Sequence, residues 1–409
     1  RGVHELSRLA GRPGAQMATM ALASSGAAVA AASAIRAGAP LASAARRLGS
    51  PSALRASTAC GALADARWRS TIARGGPGDA VAILLPGVLL TNALFGRGPC
   101  LQAALRASAV DAELGERAIQ HCSDLPAVAE HIVDGLRHRH GSAARAVLVG
   151  HSYGGYAALE VAQRWPDKVA GLVLISTQCR ADTPGATARR RAQVDELRSK
   201  GLDAVFEAML PNLLSGASNA DTSIIDLLWS MARAVGPEAF ARQILACATR
   251  ADHRQTLERL PPHIPVLVVT GKEDKVTPPR CNREMRELLE RREDEMSFPA
   301  QACADSAPAR GHRGEWEGAQ LAPWQTKLCE GAGHLVPLEQ PAAFEACIAA
   351  WSAKVQEHRE SVAAAAAEPV SGARDGRWNP SRGLLLHAAQ DLSAVFSRSS
   401  RRAPATSLA

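Results

Sequence analysis

The stretch Ala146-Val-Leu-Val-Gly150-His151-Ser152-Tyr153-Gly154-Gly155-Tyr156-Ala-Ala-Leu-Glu160 decides the fold. Ala146–Val149 is an apolar run of strand length that stops at Gly150, and a small-residue helical pattern runs from Gly154 to about Arg164. Between them lies G-x-S-x-G. Three fixed residues carry little weight alone. Here a strand runs directly into the motif and a helix runs directly out of it. So tight a turn forces the Ser152 backbone into strain, and side chains at 150 and 154 would collide with the neighbouring strand and helix. Ser152 Oγ is thereby lifted clear of the sheet, facing the first amides and the positive dipole end of the helix.

Working outward, Ala80–Leu85 (stopped by Pro86-Gly87), Val169–Ile175 and Pro265–Thr270 are further apolar runs. None alternates with polar residues, as expected of parallel strands buried on both faces. A helix is predicted over 124–139, capped by Ser123, from the spacing of Leu125, Val128, Ile132, Val133 and Leu136. The class is α/β, a mostly parallel sheet flanked by helices. Residues 181–260 break the rhythm, with helix starts at Asp182-Thr183-Pro184 and Gly236-Pro237-Glu238 and no strand. They read as an inserted helical cap whose Val205, Met209, Leu213, Ile225, Leu228 and Met231 face a core or a pocket. Residues 292–326 lack a period and read as an atypically long loop insertion. The expected organisation is a leader over 1–75, a globular domain over 76–352 and a partly disordered tail over 353–409.

The chain is 46% hydrophobic and 21% charged over 409 residues, enough for a substantial core and too apolar to be disordered throughout. Its net charge of +7 is unevenly placed. Residues 1–75 hold ten Arg against Glu5 and Asp65, and residues 369–409 hold six Arg against two Asp. The middle carries 31 basic and 36 acidic side chains, so the body offers no basic face for nucleic acid. The Ala-, Ser- and Arg-rich start has the composition of an organelle transit peptide, mitochondrial or plastid. Met17–Ile35 is uncharged, but its Ala, Ser and Gly give too little transfer energy for a stable membrane span. The nine cysteines are scattered and never form C-x-x-C, so neither a zinc site nor a disulfide framework is expected. No metal or cofactor is implied.

A serine hydroxyl is a poor nucleophile without a base. His138 and His140 lie in a basic run resembling a solvated helix end, His312 in the long loop and His387 in the tail. His151 adjoins Ser152 on the opposite side of the turn and is expected to pack or hydrogen-bond locally. His334 lies in the Gly-rich loop Cys329-Glu-Gly-Ala-Gly-His334-Leu-Val-Pro-Leu-Glu-Gln-Pro341, ahead of a helix. For the acid, Asp274 follows a strand and a glycine turn in Pro265-Val-Leu-Val-Val-Thr-Gly271-Lys-Glu-Asp274, where open α/β sheets place their sites. Glu273 is its competitor. The order Ser152, Asp274, His334 is a recurrent one for a nucleophile, an orienting acid and a base.

With Leu84-Leu85-Pro86-Gly87-Val88, the Ser152 elbow, Val169–Thr177, Gly271-x-x-Asp274 with Pro278, and Gly333-His334, the sequence resembles the alpha/beta-hydrolase superfamily over about 80–352. The likeness is to its compact serine-esterase branch with a helical cap. It implies an oxyanion hole of two backbone N–H groups, at Val88 and Tyr153. It also implies hydrolysis of an ester or thioester of a small apolar acyl substrate through an acyl-enzyme. The same constellation in that superfamily serves lactone and C–C hydrolysis, acyl transfer and cofactor-free haloperoxidation. A non-catalytic binding protein on the same fold is the other alternative. Three features depart from the pattern. Pro86-Gly87 replaces the usual His-Gly, no clear strand precedes Ala80, and Asp274 and His334 lie 60 residues apart.

Overall fold

The computed structural model describes residues 80–96, 110–297 and 321–367. Five parallel strands, β1 (Ala80–Leu85), β2 (Arg145–His151), β3 (Val169–Ile175), β4 (Val266–Gly271) and β5 (Trp324–Cys329), lie side by side in chain order. The register sets Leu85 beside Gly150, His151 beside Ile175, and Gly271 beside Cys329, so the C-terminal strand ends share one edge. Outside β1, Val110 forms a single parallel bridge with Ala82. Any strand before Ala80, the leader and the tail beyond 367 fall outside the described residues.

Residues alternate between two apolar cores, one on each face of the sheet. Ala82, Leu84, Val147, Val149, Val173 and Ile175 face one, and Val81, Ile83, Leu148, Leu172 and Leu174 the other. This is the reason the strands carry no polar alternation. The second face is covered by α1 (Ala112–His121), α2 (Leu125–His140), α3 (Tyr153–Arg164), α6 (Arg254–Glu258) and α7 (Pro279–Ser297). The first face is covered by α4 (Pro184–Leu213), α5 (Thr222–Ala248), the short α8 (Val336–Glu339) and α9 (Pro341–Ala367). Thus α4, α5 and α6 are the elements between β3 and β4, with only a 3-10 turn besides. Thr183 caps α4 through Ala186 N–H, ahead of Pro184. Gly201 (φ 82°) and Gly236 (φ 80°) break α4 and α5 into halves, and the second half of α5 starts at the predicted Gly236-Pro237.

The structure corrects several boundaries. Residues 292–326 are not one loop. At one end α7 continues to Ser297, because Arg292 is buried there and donates to the carbonyls of Leu260, Pro261 and Ile264. At the other end β5 begins at Trp324. Thr326 and Lys327 interrupt its apolar pattern because the strand pairs only with β4 among the described residues, a half-exposed edge, while Gln325 interrupts it from a buried position. Helix α9 passes residue 352, carried by Trp351 and Val355 in the core. The cap of α2 is Asp124, whose Oδ1 accepts from Ala127 N–H at 2.8 Å, while Ser123 Oγ donates to Asp124. His140 is not merely solvated, since its Nε2 lies 3.0 Å from the buried Asp111.

Candidate active site

Ser152 stands between β2 and α3 with φ 51° and ψ −111°, a left-handed conformation costing about 1–3 kcal/mol for a residue with a side chain. Its surroundings hold it there. Ser152 N–H donates to Ile175 O at 2.9 Å, and Ser152 O accepts from Gly155 N–H and Thr177 Oγ1, each at 2.9 Å. The turn closes only without side chains at two glycines. A Cβ on Gly150 would overlap the Gly154 carbonyl, and one on Gly154 would overlap the Leu85 carbonyl.

The turn after β1 lies against this elbow. A Cβ on Gly87 would stand 3.2 Å from Ser152 Cβ and 2.7 Å from His151 Nδ1. Leu89 has φ 57° and donates its N–H to Gln243 Oε1 of α5 at 3.0 Å. Leu90 N–H goes back to Gly87 O at 3.2 Å, and the amides of Gly87 and Val88 take no part in these bonds. Tyr153 is the first residue of α3, so its amide is one of that helix's orphan donors. Its ring is buried, and burial pushes the phenol far above its usual range.

Asp274 and His334 are brought into direct contact. His334 Nδ1 lies 2.9 Å from Asp274 Oδ2 and 3.1 Å from Oδ1. Asp274 leaves β4 through a turn in which its N–H bonds Gly271 O. A Cβ on Gly271 would overlap the Gly333 carbonyl, so the acid turn and the histidine loop touch through their backbones. Asp274 also accepts from Thr277 N–H and Thr277 Oγ1, each at 2.8 Å. Burial alone would push its carboxyl up. The His334 charge and hydrogen bond, with the two Thr277 donors, outweigh it and hold the carboxyl below the usual range.

His151 bridges the elbow and the histidine loop. Its Nε2 lies 2.9 Å from His334 O, and the two rings meet edge-on with centroids 4.9 Å apart. A carbonyl can only accept, so Nε2 carries the proton. Burial, and then the neighbouring His334, push the His151 pKa down to about 3.

Ser152, Val88 and Tyr153 therefore gather at the ends of β1 and β2, with the Asp274–His334 pair at the ends of β4 and β5. Glu273 is exposed and accepts from Gly216 N–H instead of meeting His334. Four polar residues were not foreseen: Thr177, Thr277, Gln243 and Glu339. Only Thr277 had a local signal, the Asp-x-x-Thr spacing of a capped turn. Among the described residues, no group of three His, Cys, Asp or Glu side chains is arranged to hold a metal ion, and no helix is long and apolar enough to cross a membrane.

Comparison with known proteins agrees with this fold. The family model for serine aminopeptidase (S33) matches residues 111–301. The pimeloyl-[acyl-carrier protein] methyl ester esterases of Neisseria meningitidis serogroup B, strains H44/76 and MC58, are each 34% identical over 175 residues. That alignment covers 41% of this chain, and the chain spans only 65% of the length of those relatives. Among solved structures, a thermophilic esterase from Thermogutta terrifontis superposes with a TM-score of 0.52 at 24% identity, over 68% of this chain and 91% of that one, a likeness of fold. Sheet order, strand–elbow–helix geometry and the likeness to solved esterases converge, and the chain has the alpha/beta-hydrolase fold.

Proposed function

We propose that the chain is a serine hydrolase acting on the carboxylic ester of a small apolar acyl group. The observation that carries this reading is the two-pronged approach of His334 Nδ1 to the Asp274 carboxylate at 2.9 and 3.1 Å. It fixes the imidazole as the tautomer protonated on Nδ1, so Nε2 has a free lone pair to act as base. Ser152 Oγ gives its proton to His334 Nε2 and attacks the acyl carbon. The carbonyl oxygen becomes an oxyanion held by the N–H groups of Val88 and Tyr153. The imidazolium, stabilised by Asp274, returns the proton to the departing alkoxide. Water then attacks the acyl-Ser152 ester, losing its proton to His334, and the acid leaves as the hydroxyl of Ser152 is restored.

The helices between β3 and β4 serve as the cap in this account. Leu228, Met231 and Val205, buried in the core on that side, give it an apolar underside suited to an acyl chain rather than a charged one. The Neisseria relatives are named for cleaving a methyl ester, which directs attention to small alkyl esters. Hydrolysis of p-nitrophenyl esters of graded acyl length is the test. Turnover that vanishes in Ser152→Ala supports the reading, and equal turnover in that variant overturns it.

A further inference from the structure

One short stretch of the helical segment holds both halves of the acid–base pair. We propose that Glu339 and the segment Pro211–Gly216 position His334 against Asp274, so that the placement of the helical segment sets the geometry of the base. This rests on the serine-hydrolase reading above.

Glu339 is only 9% exposed, and its carboxylate bonds three backbone amides. Oε1 accepts from Gly333 N–H at 2.9 Å and Leu335 N–H at 3.0 Å, the residues on either side of His334. Oε2 accepts from Ser215 N–H at 2.7 Å. His334 N–H itself donates to Leu213 O at 2.8 Å. The histidine loop is thus stitched to residues 213 and 215. Packing reinforces the stitch, because a Cβ on Gly333 would stand 2.6 Å from Ser215 N.

The acid turn is fastened to the same stretch from its other side. Lys275 Nζ donates to Pro211 O at 3.0 Å, and Glu273 Oε2 accepts from Gly216 N–H at 3.1 Å. The residues flanking Asp274 and those flanking His334 therefore bond one six-residue stretch, 211–216. This gives Glu273, the rejected candidate for the catalytic acid, a role. It also means that a shift of the helices at the end of α4 is delivered to the imidazole by two hydrogen bonds, at Leu213 and through Glu339. A carboxylate is needed at 339 because all three partners are donors. Glutamine keeps the volume but turns one acceptor into a donor facing an N–H, in a buried place.

The experiment uses the full chain in four forms: wild type, Glu339→Gln, the surface pair Glu273→Ala with Lys275→Ala, and His334→Gln to assign the resonance. Two quantities are read: kcat and KM for p-nitrophenyl acetate, and the NMR chemical shift of the His334 Nδ1 proton. Glu339→Gln is expected to lower kcat by about 10–100-fold, with KM changed by less than about threefold. The Nδ1 proton should move upfield as its bond to Asp274 lengthens. The surface pair should shift both in the same sense by less. A lowered melting temperature with kcat per folded molecule and the Nδ1 proton unchanged overturns the proposal, leaving Glu339 a brace of the fold. Should Glu339→Gln not fold, the surface pair decides, and an unmoved Nδ1 proton in it overturns the proposal. Should wild type cleave no ester, the serine-hydrolase reading fails by itself. The Nδ1 proton then still decides positioning, a shift upholding it and no shift overturning it.

Discussion

The imidazole of His151 donates its Nε2 proton to the backbone carbonyl of His334 at 2.9 Å, so the residue beside the elbow serine is tied to the loop that carries His334. Its Nδ1 is buried without a partner and faces Gly87, where a Cβ would stand only 2.7 Å away. The elbow, the Gly87 turn and the histidine loop thus meet on one neutral ring.

That neutrality has a pH signature. The His151 pKa falls from 6.5 to about 3 on folding, so the unfolded chain takes up a proton that the folded chain refuses. Stability from this group is complete above pH 6.5 and is lost as pH falls from there toward 3. The slope is about 1.4 kcal/mol per pH unit. Urea unfolding at about pH 7.5, 6 and 5 should show wild type losing stability more steeply than His151→Gln by about that amount. Parallel declines would remove His151 as the source.

The elbow glycines should divide sharply from a glycine with open space around it. Gly154→Ala puts a Cβ into the Leu85 carbonyl and should cost more than about 4 kcal/mol, or abolish folding. Gly185→Ala, near the start of α4, meets only Arg189 Nη1 at 3.7 Å and should be neutral or stabilising by up to about 1 kcal/mol. Thermal melts of the two variants check this, and equal melting temperatures would contradict the packing described.

Asp274→Asn keeps the shape and loses the charge that fixes the His334 tautomer. It should lower kcat by about 10³–10⁴-fold on an ester substrate. Thr277→Val removes the hydroxyl that donates to Asp274 Oδ2 at 2.8 Å but leaves the Thr277 N–H bond. It should destabilise the fold by about 1–3 kcal/mol and raise the Asp274 pKa, read from carboxyl titration by NMR. An unmoved Asp274 in that variant would show the hydroxyl to be idle.

Gln243 bridges α5 to the turn after β1, accepting from Leu89 N–H and donating to Ile119 O at 3.3 Å. Gln243→Leu leaves the Leu89 amide buried and unpaired at φ 57°. Stability should fall by about 1–3 kcal/mol. Ester kcat should fall more than KM changes, because the neighbouring Val88 amide loses its placement. Unchanged kcat would mean that the turn holds itself.

The elbow was readable because its constraints are local. A buried strand, a helix and two glycines that admit no Cβ lie within about a dozen residues. Asp274 and His334 were readable by chemistry and by loops following strands or glycines. Glu339 was not, since in sequence it is a glutamate before Gln-Pro, and its partners include Ser215, 124 residues away. Gln243 is a helix residue of ordinary kind until Leu89, 154 residues earlier, is placed beside it. Strand β5 was hidden for a different reason. An edge strand needs only one apolar side, so the exposed Lys327 is as acceptable there as valine, and the buried Gln325 breaks the apolar run further. The buried Arg292 disguised the last turns of α7 in the same way, its charge satisfied by three carbonyls rather than by water.

The central claim is that Ser152 is a nucleophile activated by His334. Incubation of the folded chain with a fluorophosphonate, followed by peptide mass spectrometry, tests it most directly. The account predicts a single adduct on Ser152, absent in Ser152→Ala and slowed by at least about 10²–10³-fold in His334→Gln. Folded wild type that leaves Ser152 unlabelled, or labels it at the same rate without His334, would contradict it.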